Sequence, residues 1–248
     1  MIFFLTINHL TRKEIYMKII RNIKLKIDEE EVLRYQGCHN NKLKKVNKTI
    51  MKITREEIER GYNLFKPKGI YSPIKIKQMS FSGGRVDLKN GFSLYFSNSI
   101  INLLKGTNYL VLGVATIGSS LENRVSKFFT QGEYPRAIAL DAVGTVTVES
   151  LGRYIKNLIC QEAKEQHFKN TRCFSPGYGD WDINQQKIIF QIIPADKIGV
   201  KLTESCMMVP KKSLSWAMGA GENIITPSKK DDSCQICQAI NCQYRKTF

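Results

Sequence analysis

The run Tyr109-Leu110-Val111-Leu112-Gly113-Val114-Ala115-Thr116-Ile117-Gly118 constrains this chain more than any other stretch, because it is almost unbroken in its apolar character. A strand with one wet face alternates apolar and polar residues, whereas a strand covered on both faces does not. The run therefore belongs at the centre of a sheet, with further elements packed above and below. A helix from Ser119 or Ser120 to Phe129 follows it. Gly113 and Gly118 flank the strand-to-helix turn much as glycines flank a nucleotide loop. Neither a Gly-Lys-Ser/Thr phosphate cradle nor a complete G-x-G-x-x-G pattern is present, which disfavours a P-loop or dinucleotide site.

The remaining segments supply the covers. Asp28 to Tyr35 reads as a short helix that begins with acids and stops at Gly37, since acids favour the positive N-terminus and glycine the C-terminal cap. Thr54 to Leu64 reads as another, with Thr54 and Glu57 as a capping box. Ile74–Lys77 and Phe92–Phe96 read as strands, with turns at 82–84 and 89–91, and Ser99 to Leu104 as a helix. The longest helical candidate runs from Tyr134 to about Ala163. Val143, Val146, Leu151, Tyr154, Ile155, Leu158 and Ile159 recur there at three- and four-residue steps as one apolar stripe. Gly144 and Gly152 cost such a helix about 1 kcal/mol each against alanine, so something must pack close to them. Glu149 falls on the face opposite the stripe.

A chain of 248 residues can bury one sizeable core, and no linker, repeat or low-complexity tract divides it. No apolar run approaches the roughly 18–20 residues of a bilayer span, and Ile2-Phe3-Phe4-Leu5 lacks the basic region of a secretory signal, so the expected compartment is the cytoplasm. The formal net charge of +16 leans towards the N-terminal third. It reads either as a solvated basic face or as an attraction for nucleic acid, an anionic membrane or an acidic protein. The basic residues are mostly isolated lysines, without the aromatic-glycine interleaving or finger spacing of nucleic-acid binders. His9, His39 and His167 have no ligand spacing and read as surface residues.

The stretch Arg172-Cys173-Phe174-Ser175-Pro176-Gly177-Tyr178-Gly179-Asp180-Trp181 places aromatic rings among glycines where an ordinary loop is polar. Ser-Pro and Pro-Gly force a turn, and Gly177 and Gly179 allow backbone angles closed to other residues. Tyr178 and Trp181 become candidate walls of a pocket. After the loop, Asp182 can cap a helix that runs to Ile193 and stops at Pro194. Ile198 to Ser205 alternates as a half-buried strand should, and Met207-Met208-Val209-Pro210 and Ser213-Leu214-Ser215-Trp216 follow.

Pro-Gly-Tyr, helix, Leu-Thr-Glu-Ser, Met-x-Pro and Ser-x-Ser in this order resembles the activation domain of vitamin B12-dependent methionine synthase. The likeness is strongest from Asp141 to Gly219; from about Ile27 to Leu140 the features are only compatible. The resemblance implies an α+β fold, a twisted antiparallel-rich sheet with flanking helices. It also implies a stand-alone module that binds S-adenosylmethionine and supports reductive methylation of cob(II)alamin on a corrinoid methyltransferase, methionine synthase first among them. The partners implied are that cobalamin protein and a flavodoxin-like acidic electron donor. Reduced cobalt attacks the methyl group in that chemistry, so no catalytic residue is expected in this chain, which supplies proximity and orientation.

S-adenosylmethionine carries a sulfonium, an ammonium, a carboxylate and an adenine, which call for an acid, a planar cation and aromatic walls. The resemblance assigns these to Glu149, Arg172, Ser175, Pro176, Gly177, Tyr178 and Glu204. Glu149 also reads as an ordinary surface partner of Arg153 at i, i+4. In the family pattern an arginine stands five residues before the tyrosine; here that position is Cys173, and Arg172 lies one place earlier. Met207 and Met208 read either as a cobalamin-facing surface or as core filling.

The likeness divides the chain into an N-terminal extension over residues 1–26, a 27–228 activation-domain-like region and a cysteine-containing tail over 229–248. In the tail Cys234, Cys237 and Cys242 have spacing that reads as metal, iron–sulfur or redox chemistry, or as an unliganded tail; a tetrahedral zinc needs a fourth ligand. This leaves two rival functions, an electron carrier centred on those cysteines and a basic nucleic-acid-binding protein centred on residues 42–52 and 66–77.

Overall fold

The apolar run becomes β5 (Tyr109–Thr116), buried at every position. It pairs with β2 (Lys68–Ser80) on one side and β9 (Ser213–Gly221) on the other. In this computed structural model, which describes residues 16–38 and 46–225, the sheet has seven strands. Their order is β4 (Ser93–Tyr95), β3 (Arg85–Leu88), β2, β5, β9 and β6 (Lys169–Phe174), with β1 (Lys18–Ile20) on the start of β2. Every pairing is antiparallel.

The period-two alternation of the central strands separates two apolar layers. Tyr109, Val111 and Ala115 point to one layer with Trp216 and Met218 of β9, and Leu110, Leu112 and Val114 to the other with Ala217. The first layer is covered by α1 (Glu29–Tyr35), α2 (Lys48–Leu64), α4 (Ser120–Thr130) and α5 (Tyr134–Glu165). The second is covered by α3 (Asn98–Leu103), α6 (Gln185–Ile192) and a 3-10 turn at Ala195–Ile198. Glycine lets the sheet close over Trp216: a Cβ on Gly113 would lie 2.2 Å from the indole.

The 32-residue α5 lies along the sheet, with Leu151, Ile155 and Ile159 fully buried. Its two glycines are contact points, as expected: a Cβ on Gly144 would meet Leu121 at 2.7 Å, and one on Gly152 would meet Leu214 at 2.9 Å. Towards β1 the helix carries Glu162, 9% exposed, whose two oxygens accept from Lys18 and from Tyr71 Oη, the latter at 2.7 Å.

Two local expectations give way. Helix α2 starts at an Asn47 cap whose side chain accepts from the Thr49 amide, so Thr54 is an interior residue. Its hydroxyl donates to Ile50 O at 2.9 Å, and Glu57 is a fully buried carboxylate held by Arg60 and Arg136, not half of a capping box. The alternating stretch 198–205 forms only the two-residue β7 (Lys201–Leu202), paired with β8 (Met208–Val209). The 3-10 turn and Gly199 at φ +82° use up the residues before it. Upstream of residue 27, β1 and the buried Ile23 pack against the first layer. No helix among the described residues is long and apolar enough to cross a membrane.

Candidate functional site

The 175–184 loop leaves β6, the edge strand, and is built to present one ring. Ser175-Pro176-Gly177-Tyr178 forms a turn in which the Tyr178 amide donates to Ser175 O at 3.2 Å. Proline suits its second position, and the third needs positive φ, which Gly177 supplies at +84°. The Gly177 amide donates to Trp181 O at 2.8 Å and tightens the loop. Two anchors fix it to the rest of the molecule. Trp181 is 2% exposed, stacks on Phe96 with centroids 4.7 Å apart and donates Nε1–H to Tyr95 O at 2.8 Å. Asp180 accepts from the hydroxyls of Ser97 and Ser99 at 2.8 and 2.9 Å. Trp181 is therefore a core residue, not a pocket wall. Tyr178, three residues earlier, is 71% exposed.

Glu149, half-buried on α5, faces this loop closely enough for its charge to act on Tyr178. Burial and then the Glu149 carboxylate push the Tyr178 phenol above its ordinary value, even though most of the ring is open to solvent. The same carboxylate acts on Tyr35, at the end of α1, whose phenol is also raised by burial first and Glu149 second. The Arg34 guanidinium lies 4.6 Å over the Tyr35 ring and is tied to Glu31 at 2.7 Å. One carboxylate thus acts on two phenols delivered by different elements. Such a set attracts a soft cation, by direct charge and through the ring faces.

The sequence profile of the family described as "Vitamin B12 dependent methionine synthase, activation domain" matches residues 100–224. The chain belongs to that family. A solved structure described as the MetH reactivation domain bound to AdoHcy shares the fold, with a TM-score of 0.56 at 12% identity, over 85% of this chain and 80% of that one. No curated protein matches.

Seen as an activation domain, the chain brings together some of the residues expected of its site and separates others. Glu149 and Tyr178 converge; Ser175, Pro176 and Gly177 shape the turn that carries Tyr178. Arg172 has a partner of its own. A register shift between Asn170 and Cys173 disturbs the alternation of β6. The Arg172 guanidinium lies over the Phe174 ring at 5.3 Å, and Phe174 packs in the layer under α6. Cys173 faces the α5 layer instead, its Sγ 3.7 Å from Met218 Sδ. Burial pushes the Cys173 thiol up to about 12, against the opposing pull of Lys156. Glu204 stands exposed on the turn between β7 and β8. That hairpin is fixed to the start of α6 by Gln186 Nε2, which donates to Cys206 O at 2.8 Å, and none of the contacts described above joins Glu204 to Glu149 or Tyr178. Of the two methionines, Met207 is 59% exposed and Met208 packs on the second layer.

Tyr35, the second phenol on which Glu149 acts, is not foreseen from the sequence, since nothing local ties the end of α1 to the middle of α5. Cys234, Cys237 and Cys242 lie outside the described residues. Among the described residues no group of three His, Cys, Asp or Glu side chains could hold a metal. An open groove of about 1030 Å³ between α2 and α4 is lined by Arg55, Arg60, Arg124 and Lys127, and contains neither Glu149 nor either phenol.

Proposed function

We propose that this chain binds S-adenosylmethionine at Glu149, Tyr178 and Tyr35 and serves as a stand-alone reactivation module for a corrinoid methyltransferase, most directly methionine synthase. The observation that carries the reading is the exposed Tyr178, held out on an anchored turn beside the carboxylate of α5. Family membership supports it, and so does the fold shared with a domain described as bound to AdoHcy.

The donor set fits the ligand. A sulfonium and an ammonium both need negative charge or ring faces, and the site offers one carboxylate and two phenols. With the partner's cobalamin present, S-adenosylmethionine would supply a methyl group to the reduced cobalt and leave as S-adenosylhomocysteine. The residues of this chain bind and orient. Glu149 and the rings hold the cationic centre, and the turn built by Pro176 and Gly177 fixes Tyr178 at the rim, so the methyl group stays open to a second protein. Catalysis of this kind comes from proximity rather than from proton transfer. The basic surface suits an acidic electron donor of the flavodoxin kind.

Calorimetric titration with S-adenosylmethionine tests the reading. Saturable binding with a Kd below about 1 mM is expected, weakened by Glu149→Gln and by Tyr178→Ala. No affinity in that range, with or without a cobalamin protein, would overturn it.

A further inference from the structure

The flank of α5 that carries Glu149 carries a second charge. Lys156 follows seven residues later, so two helical turns bring it back to the same side, about 10 Å further along the axis. That side faces the edge strand: the Lys156 ammonium acts on the thiol of Cys160, one more turn along, and on that of Cys173 across on β6. Lys156 is half-buried, and no hydrogen bond or ion pair engages it among the described residues. A half-buried lysine without an anion favours a ligand that brings one. The two thiols beside it are held in the neutral form by burial and supply no such anion. Arg172 does not compete for the place, because its guanidinium lies over Phe174, which packs on the far side of the sheet.

We propose that Lys156 holds the anionic end of the bound ligand, so that a zwitterion lies lengthwise along this flank of α5. The cationic centre lies at Glu149 and Tyr178, and the carboxylate lies at Lys156. This deepens the S-adenosylmethionine reading and rests on it. The flexible four-carbon stem of lysine covers the remaining distance to a carboxylate three carbons from the sulfonium. A compact ammonium gives point-charge recognition where a guanidinium gives a planar fork, so the site tolerates changes in carboxylate orientation.

The test compares S-adenosylmethionine with its decarboxylated form, which keeps the sulfonium, adenosine and amine. Binding is measured to the wild-type chain and to Lys156→Met, Lys156→Arg and Arg172→Met. Lys156→Met should weaken S-adenosylmethionine by about tenfold or more, the scale of one charge-assisted hydrogen bond, and leave the decarboxylated ligand within about threefold. Lys156→Arg should restore most of the loss, and Arg172→Met should change neither ligand by more than about threefold. Equal weakening of both ligands by Lys156→Met would mean a packing role and overturn the proposal. So would an unchanged S-adenosylmethionine affinity, or a selective loss in Arg172→Met. If the wild-type chain binds neither ligand, the functional reading itself fails and this inference with it; if it binds both but Lys156 is silent, only this inference falls. Circular dichroism of each variant checks the fold.

Discussion

Helix α5 sets two carboxylates beside tyrosines, and the two pairs have opposite fates. Towards β1, Glu162 is 9% exposed and Tyr71 fully buried, and the carboxylate oxygens are taken up by the Tyr71 hydroxyl and the Lys18 ammonium. Towards β6, Glu149 is half-buried and its partner ring Tyr178 is 71% exposed on a turn. The residue types are the same. What differs is whether the surrounding elements close over the pair.

The largest effect expected from this contrast is on folding. Glu162→Ala leaves a buried hydroxyl and a partly buried ammonium without their acceptor, and should cost about 3 kcal/mol in urea denaturation. Glu162→Gln, which can still accept from Tyr71, should cost less. Neither should move S-adenosylmethionine affinity by more than about twofold. Burial, then the hydrogen bond to Glu162, raises the Tyr71 phenol far above its ordinary value. The unfolded chain releases that proton near pH 10 and the folded one does not, so this contribution is complete below about pH 10 and is lost as the pH rises beyond it. Glu162→Gln should make the alkaline loss shallower.

At the other pair the expected effect moves from stability to binding. Glu149→Gln removes the negative charge at nearly constant shape and should weaken S-adenosylmethionine by about tenfold or more, while stability changes by less than about 0.5 kcal/mol. A stability loss as large as that of Glu162→Ala would erase the distinction between the two flanks. Next in size comes Tyr178. Tyr178→Ala should cost roughly three- to thirtyfold in affinity, the range of a cation–π contact, and Tyr178→Phe should keep most of it. If phenylalanine binds as poorly as alanine, the hydroxyl rather than the ring face makes the contact.

How much of this was legible in the sequence follows from how local each cause is. The central strand, the long helix and the two helix glycines could be read because apolar periodicity and glycine act through near neighbours. The Pro-Gly-Tyr turn could be read for the same reason. Trp181 could not be told from Tyr178, since both rings stand among the same turn residues and only the distant partner Phe96 decides which is inside. The Thr54–Glu57 spacing reads equally as a capping box or as helix interior, and Arg136, far along the chain, settles it. Arg172 is hard to place from sequence for a subtler reason: an irregularity in β6 upsets the alternation on which any assignment of faces depends. In the proposed reading Tyr35 and Lys156 join the site only through α1 and α5 packing, for which no short-range pattern exists.

The smallest effect is also the most direct measure of proximity. Spectrophotometric titration should show the phenols of Tyr35 and Tyr178 ionising above the ordinary tyrosine value, because burial and then the Glu149 charge both oppose a phenolate there. Removing the charge in Glu149→Gln takes away only the lesser cause. Both phenols should therefore titrate lower than in the wild-type chain yet stay above the ordinary value, whereas Tyr71 on the opposite flank should not respond. A drop confined to one phenol would show that the carboxylate belongs to one wall only, and the aromatic pair would then have to be replaced by a single ring.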